Sequence, residues 1–96
     1  MRIRQRNWRT RFGEIDIVAE DSGALVFVEV RLRSAGDRGS AVESVGPRKQ
    51  RQLRLLADQY LQTTGHGGAC RIDVIAIDLG PAGPRISHLR NAVMDS

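Results

Sequence analysis

Four ionisable residues sit inside two short β-rich segments. Glu14 and Asp16 lie in Gly13-Glu14-Ile15-Asp16-Ile17-Val18-Ala19, and Glu29 and Arg31 in Leu25-Val26-Phe27-Val28-Glu29-Val30-Arg31-Leu32-Arg33. Strand interiors seldom hold such residues without a purpose. A buried charge is unfavourable by several kcal/mol unless it is paired or holds a metal. Glu20-Asp21-Ser22-Gly23 between them has turn chemistry. If Ser22-Gly23 form a two-residue hairpin loop, Asp16 stands opposite Glu29 and Glu14 opposite Arg31. Cross-strand partners share a face. All four charges are therefore expected on one face, with Ile15, Ile17, Val28 and Val30 on the other. Opposed carboxylates repel unless a cation or a proton lies between them.

The rest of the chain must position this hairpin. Arg2 to Thr10 reads as an Arg-rich edge strand with Trp8 at the core or its rim. Its arginines fit either a solvated edge that blocks aggregation or contacts to phosphate. Ser34 to Gly46 is a Gly-rich loop, with a short helical turn over 41–45. Pro47 opens a helix to about Thr63, in which Leu53, Leu56, Ala57, Tyr60 and Leu61 follow the spacing of one buried face. Arg48, Lys49, Arg51 and Arg54 crowd its first turns. Cations there oppose the helix dipole, so they fit either a solvated polar face or an anion such as phosphate beside them. Thr64-Gly65-His66-Gly67-Gly68 stops the helix. Residues 71–78 read as a central strand buried on both faces, and Arg85 to Leu89 as a short final strand. A tail from Arg90 packs through Ala92, Val93 and Met94. Asp73 either joins the acidic cluster or caps the sheet.

Ninety-six residues suit one domain over 1–96. No apolar run approaches the roughly 20 residues that span a bilayer. Met1-Arg2-Ile3-Arg4 has no apolar segment behind it, so no signal peptide and no membrane are expected. The lone cysteine, Cys70, forms no internal disulfide, fits a reducing cytoplasm, and is expected to be a small buried residue. No second His or Cys stands at zinc spacing near His66 or His88. The net charge of +4 favours an acidic partner, of which nucleic acid is the commonest. Lys49 is the only lysine among the 15 basic residues, and Arg grips phosphate well.

The chain resembles the YraN family of uncharacterised bacterial proteins, which is similar in motif to the PD-(D/E)XK nuclease superfamily of Holliday-junction resolvases and restriction enzymes. The residues that carry the likeness are Asn7-Trp8-Arg9, Gly13-Glu14-Ile15-Asp16, Val26-Phe27-Val28-Glu29-Val30-Arg31 and Pro47-Arg48-Lys49. Further along they are Tyr60-Leu61, Arg71-Ile72-Asp73-Val74 and His88-Leu89-Arg90-Asn91-Ala92. The resemblance implies an α/β, restriction-endonuclease-like core, with a mixed sheet of about five strands flanked by one main helix. Family members usually carry a further N-terminal helix, whereas this chain starts just before its first strand. Either the start is displaced or the helix is missing, and in the second case a poorly covered sheet face would favour a homodimer.

The resemblance further implies a metal-dependent endonuclease that hydrolyses phosphodiester bonds in nucleic acid, with branched DNA among the substrates to consider. Asp16 and Glu29 would hold Mg²⁺ or Mn²⁺ through hard oxygen ligands, and Glu14 would be an outer ligand or pair with Arg31. Arg9, Arg11, Arg48, Lys49 and Arg51 would hold the backbone. Arg31 departs from the pattern, because the superfamily has Lys two residues after the strand acid. Arg supplies charge but cannot act as a base. The alternatives are a weakened enzyme, a module of the same fold that only binds nucleic acid, or a Lys49 that substitutes from the helix.

Overall fold

The computed structural model describes residues 1–34, 36–37 and 39–93. Five strands and one helix follow one another as β1 (Arg2–Thr10), β2 (Gly13–Asp21), β3 (Ala24–Arg33), α1 (Pro47–Thr64), β4 (Cys70–Gly80) and β5 (Gly83–Leu89). The sheet order is β1-β2-β3-β4-β5. Neighbours are antiparallel except β3 and β4, which run parallel. Parallel neighbours need a long crossover, and α1 lies in that connection. The sheet is mixed, as expected, with β1 at an edge. Tight turns close the antiparallel pairs. At the β2–β3 turn Ser22 has φ 53° and Gly23 φ 85°, the two positive values that a type I′ hairpin requires.

The main core lies between the sheet and α1. Ile15, Val18, Leu25, Phe27 and Ile72 pack against Leu53, Leu56, Ala57 and Tyr60. Tyr60 meets Trp8 and Phe27 edge to face, with ring centroids 5.2 and 5.5 Å apart. Trp8 is thus a core-rim residue. Leu61 packs against the cluster while only partly buried. Pro47 starts the helix, and Gly65 ends it in the left-handed conformation at φ 70°. Val93 reaches the main core, and the Ala92 N–H donates to the Ile72 carbonyl at 2.8 Å. Met94 lies outside the described residues.

A second, smaller cluster of Ala19, Val26 and Val28, with Ile17, Val30 and Ile75, lies on the opposite face. Leu32 and Ile86 also stand exposed. Cys70 is exposed, not buried: it opens β4 at the sheet end and lines an open surface cavity with Ala57, Ile72 and Val93 rather than lying beneath them.

Candidate active site

The hairpin register is the expected one as far as Ile17 and Val28. There the paired ladder stops. Ile15 and Val18 both belong to the helix-side core, although residues three apart in a regular strand face opposite ways. Strand β2 therefore kinks at Asp16. The facing residue of β1 is Asn7, between the pairs Arg6–Ile17 and Trp8–Ile15, and it is left-handed at φ 53°. Asn tolerates that conformation better than most residues. The Val30 N–H, which has lost its ladder partner, donates to Asp16 Oδ2 at 2.8 Å. The carboxylate of Asp16 thus satisfies a backbone donor where β2 and β3 part.

The kink corrects two expectations. Ile15 does not join Ile17, Val28 and Val30 on the second face but is buried in the main core. Glu14 does not pair with Arg31. It pairs with Arg9, Nε to Oε2 3.1 Å, on the exposed edge.

Glu29 stays on the helix side, in step with Leu25 and Phe27. Its side chain is only 4% exposed. Lys49, on the first turn of α1, places Nζ 3.0 Å from Glu29 Oε2, and Arg31 Nη1 lies 3.6 Å from the same oxygen. Burial pushes the Glu29 carboxyl above its ordinary range. The neighbouring Asp16 carboxylate adds to that push, and Lys49 opposes it. Asp16, Glu29, Arg31 and Lys49 thus meet at one place.

Two further residues hold this group. Arg31 donates Nε to Ser44 Oγ at 2.9 Å, which ties the loop before α1 to β3. Lys49 donates to Gln52 Oε1 at 3.1 Å, and Gln52 Nε2 donates to the Phe12 carbonyl at 2.9 Å. A continuous chain of contacts therefore runs from Glu29 through Lys49 and Gln52 to the β1–β2 turn. Gly13 makes room for it: a Cβ there would lie 2.6 Å from Gln52 Nε2, at a φ of +141°. Sequence reasoning missed Ser44 and Gln52. The available signal for Gln52 was its position three residues after Lys49, on the same side of the helix.

Arg11, Arg48 and Arg51 are exposed around this end of the helix, with Arg11 stacked 5.0 Å above the Phe12 ring. Arg9 is engaged by Glu14, but an exposed pair of this kind is worth less than about 1 kcal/mol and exchanges readily.

Asp73 does not join the acids. It faces the opposite side of the sheet and is fully buried. It accepts from Arg71 Nε (3.0 Å) and the Asn91 N–H (2.9 Å), and lies 2.8 Å from His88 Nε2. Burial alone would raise its carboxyl. The bonds from Asn91, His88 and Arg71 outweigh it and hold Asp73 below its ordinary range. Arg71 also binds Asp21. This network ties the tail and β5 to β4.

Asp16 and Glu29 are the two carboxylates that could serve a hard divalent cation. Mg²⁺ keeps several waters and takes only one or two carboxylates, and Asp16 and Glu29 provide two. Among the described residues no third His, Cys, Asp or Glu completes a closed cage.

The model of the uncharacterised protein family UPF0102 matches residues 1–77. This chain belongs to that family. It is similar to the UPF0102 protein of Rhodococcus jostii, 46% identical over 94 residues, which covers 96% of this chain and 80% of the relative. The Methylococcus capsulatus relative is 44% identical over 93 residues, 97% of this chain and 76% of its own. The relative from Pelotomaculum thermopropionicum is 48% identical over 94 residues, 95% and 78% respectively. No helix among the described residues of this UPF0102 chain is long and apolar enough to cross a membrane.

Proposed function

We propose that this UPF0102 protein is a divalent-cation-dependent nuclease that hydrolyses phosphodiester bonds, with DNA as the first substrate to test. The observation that carries the reading is the buried Glu29, set beside Asp16 and in contact with the only lysine of the chain. A purely structural acid has no need of a carboxylate neighbour that raises its proton affinity.

In this reading Asp16 and Glu29 hold the cation. What a divalent cation supplies when bound is a more acidic water and positive charge beside the scissile phosphate. Lys49 takes the role of the superfamily lysine. Its ammonium turns from Glu29 to a phosphate oxygen as charge develops there. Arg31 cannot accept a proton, and its bond to Ser44 suits it to hold the loop and add charge. The water oxygen bonds to phosphorus, the P–O bond to the leaving group breaks, and that oxygen departs with a proton. Arg11, Arg48 and Arg51 grip the backbone without reading sequence.

A second reading, a binding module without chemistry, is favoured by one observation. Lys49 already balances Glu29, and Val30 already occupies one Asp16 oxygen, so the site is satisfied as it stands. Cleavage assays separate the two. Labelled single-stranded and branched DNA are incubated with Mn²⁺, with and without chelator. The nuclease reading expects cation-dependent cleavage that falls at least about 100-fold in Glu29→Ala and in Lys49→Met, in line with the loss of one transition-state contact. Salt-sensitive DNA binding with no cleavage in any cation would leave the binding module.

A further inference from the structure

A cavity of about 180 Å³ lies on the helix side of the sheet, lined by Val42, Val45, Gln50, Val74, Leu89 and Ala92. Three of these residues adjoin the candidate site directly. Val74 is the β4 partner of Glu29. Val45 follows Ser44, which holds Arg31, and Gln50 follows Lys49. Leu89 is the next partner beyond Val74. With strands about 4.8 Å apart, the cavity begins one strand from Glu29 and ends two strands away.

Its chemistry is uneven in an informative way. Five of the six lining residues are apolar, and the sixth is an amide. Gln50 Nε2 donates to the Val45 carbonyl at 3.0 Å, which leaves its Oε1 as the one side-chain acceptor among the six lining residues. An apolar cavity of roughly 150 Å³ accepts a benzene ring. This one is of a size for one six-membered ring and too small for a drug-sized ligand, which needs about 300 Å³ or more.

We propose that this cavity is a binding site for one unpaired pyrimidine base, whose neighbouring backbone is gripped by Arg11, Arg48 and Arg51 so that the scissile phosphate faces the cation site of Asp16 and Glu29. The proposal rests on the nuclease reading and narrows its substrate to nucleic acid with at least one unpaired nucleotide. The faces of the ring meet Val42, Val45, Val74 and Leu89. Its pairing edge presents an N–H to Gln50: the ring N–H of thymine or uracil, or the amino group of cytosine. A base inside a duplex cannot reach such a pocket without leaving the stack, whereas one in a bulge or single strand does so at little expense. The cavity does not choose between ribose and deoxyribose.

The test is binding, measured by fluorescence anisotropy in chelator so that no cleavage is required. The probes are duplexes carrying one bulged thymine, one bulged abasic site or no bulge, with RNA versions carrying uracil. The wild type is expected to bind the pyrimidine bulge at least about 10-fold more tightly than the abasic one. In Val42→Trp, which places a large ring at an exposed lining position, that ratio should fall to about one while affinity for the unbulged duplex is kept. Gln50→Leu, a second variant with the cavity left open, should weaken pyrimidine binding without affecting abasic binding. Equal affinity of the wild type for thymine and abasic bulges overturns the base site and leaves the nuclease reading standing. Absence of binding to every probe in chelator overturns the base site, and cleavage with Mn²⁺ then decides the nuclease reading by itself. A ratio unchanged in both variants places the preference elsewhere and also overturns the proposal.

Discussion

Replacing Asp73 with Ala should be the most damaging single change on the face opposite the candidate site. The side chain is fully buried and serves Arg71, His88 and the Asn91 N–H. Its loss leaves three donors facing a void, although Arg71 keeps Asp21. Removing one partner of a buried ionic network destabilises by about 3–5 kcal/mol. A chain of this size has roughly 5–14 kcal/mol in all. The melting temperature should fall by roughly 12–40 °C, at about 4–8 °C per kcal/mol. Asp73→Asn, which retains an acceptor for Asn91, should lose less.

The pH profile carries a second signature of the same network. A carboxyl held below its ordinary range adds stability that is present above the unfolded value, near 3.9, and is lost as pH falls through the folded one. Wild type should therefore lose stability below about pH 4, and Asp73→Ala should show less of that loss. Urea unfolding and thermal melts at pH 3 to 7 measure both effects. Asp73→Ala should also keep its affinity for Mn²⁺ wherever it is folded. A variant within about 1 kcal/mol of wild type, or one that loses cation binding while folded, would refute the assignment of Asp73 to a structural network.

Gly13→Ala should destabilise by about 2–4 kcal/mol, from a strained positive φ and the loss of one or two hydrogen bonds through Gln52. A double-mutant cycle with Gln52→Ala should show coupling, and strict additivity would refute the contact. Glu29→Gln tests the raised carboxyl. The folded state of the wild type holds that proton more tightly than the unfolded state does, so its contribution is full below about pH 4.3 and is lost as pH rises. The stability of Glu29→Gln relative to wild type should therefore rise with pH above that point. Melts across pH 4 to 8 that show a flat or falling difference would contradict the direction.

The elements and the hairpin register were legible because local chemistry dictates them. Ser22-Gly23 set the turn, Pro47 and Gly65 bound the helix, and the Leu53-Leu56-Ala57-Tyr60 spacing fixed its buried face. That register also set Asp16 against Glu29, but the ladder ends at Ile17–Val28, and the two carboxylates are neighbours at the kink rather than a ladder pair. What was not legible depended on the kink at Asp16. An extended-chain pattern assigns faces by strict alternation, and nothing in Gly13-Glu14-Ile15-Asp16 marks the position where alternation fails. Glu14 and Ile15 were misplaced for that one reason. Gln52, Ser44 and the Asp73 network depend on contacts between elements far apart in sequence, where a polar residue in the chain carries no sign of its partner.

The central claim is that Asp16 and Glu29 together hold a divalent cation. Calorimetric titration of Mg²⁺ and of Mn²⁺ into the wild type, Asp16→Ala and Glu29→Gln tests it most directly. Saturable binding of one cation to the wild type at millimolar concentration or below, lost in both variants while their folds are kept, is the predicted result. No binding by the wild type, or binding unchanged in either variant, would contradict it.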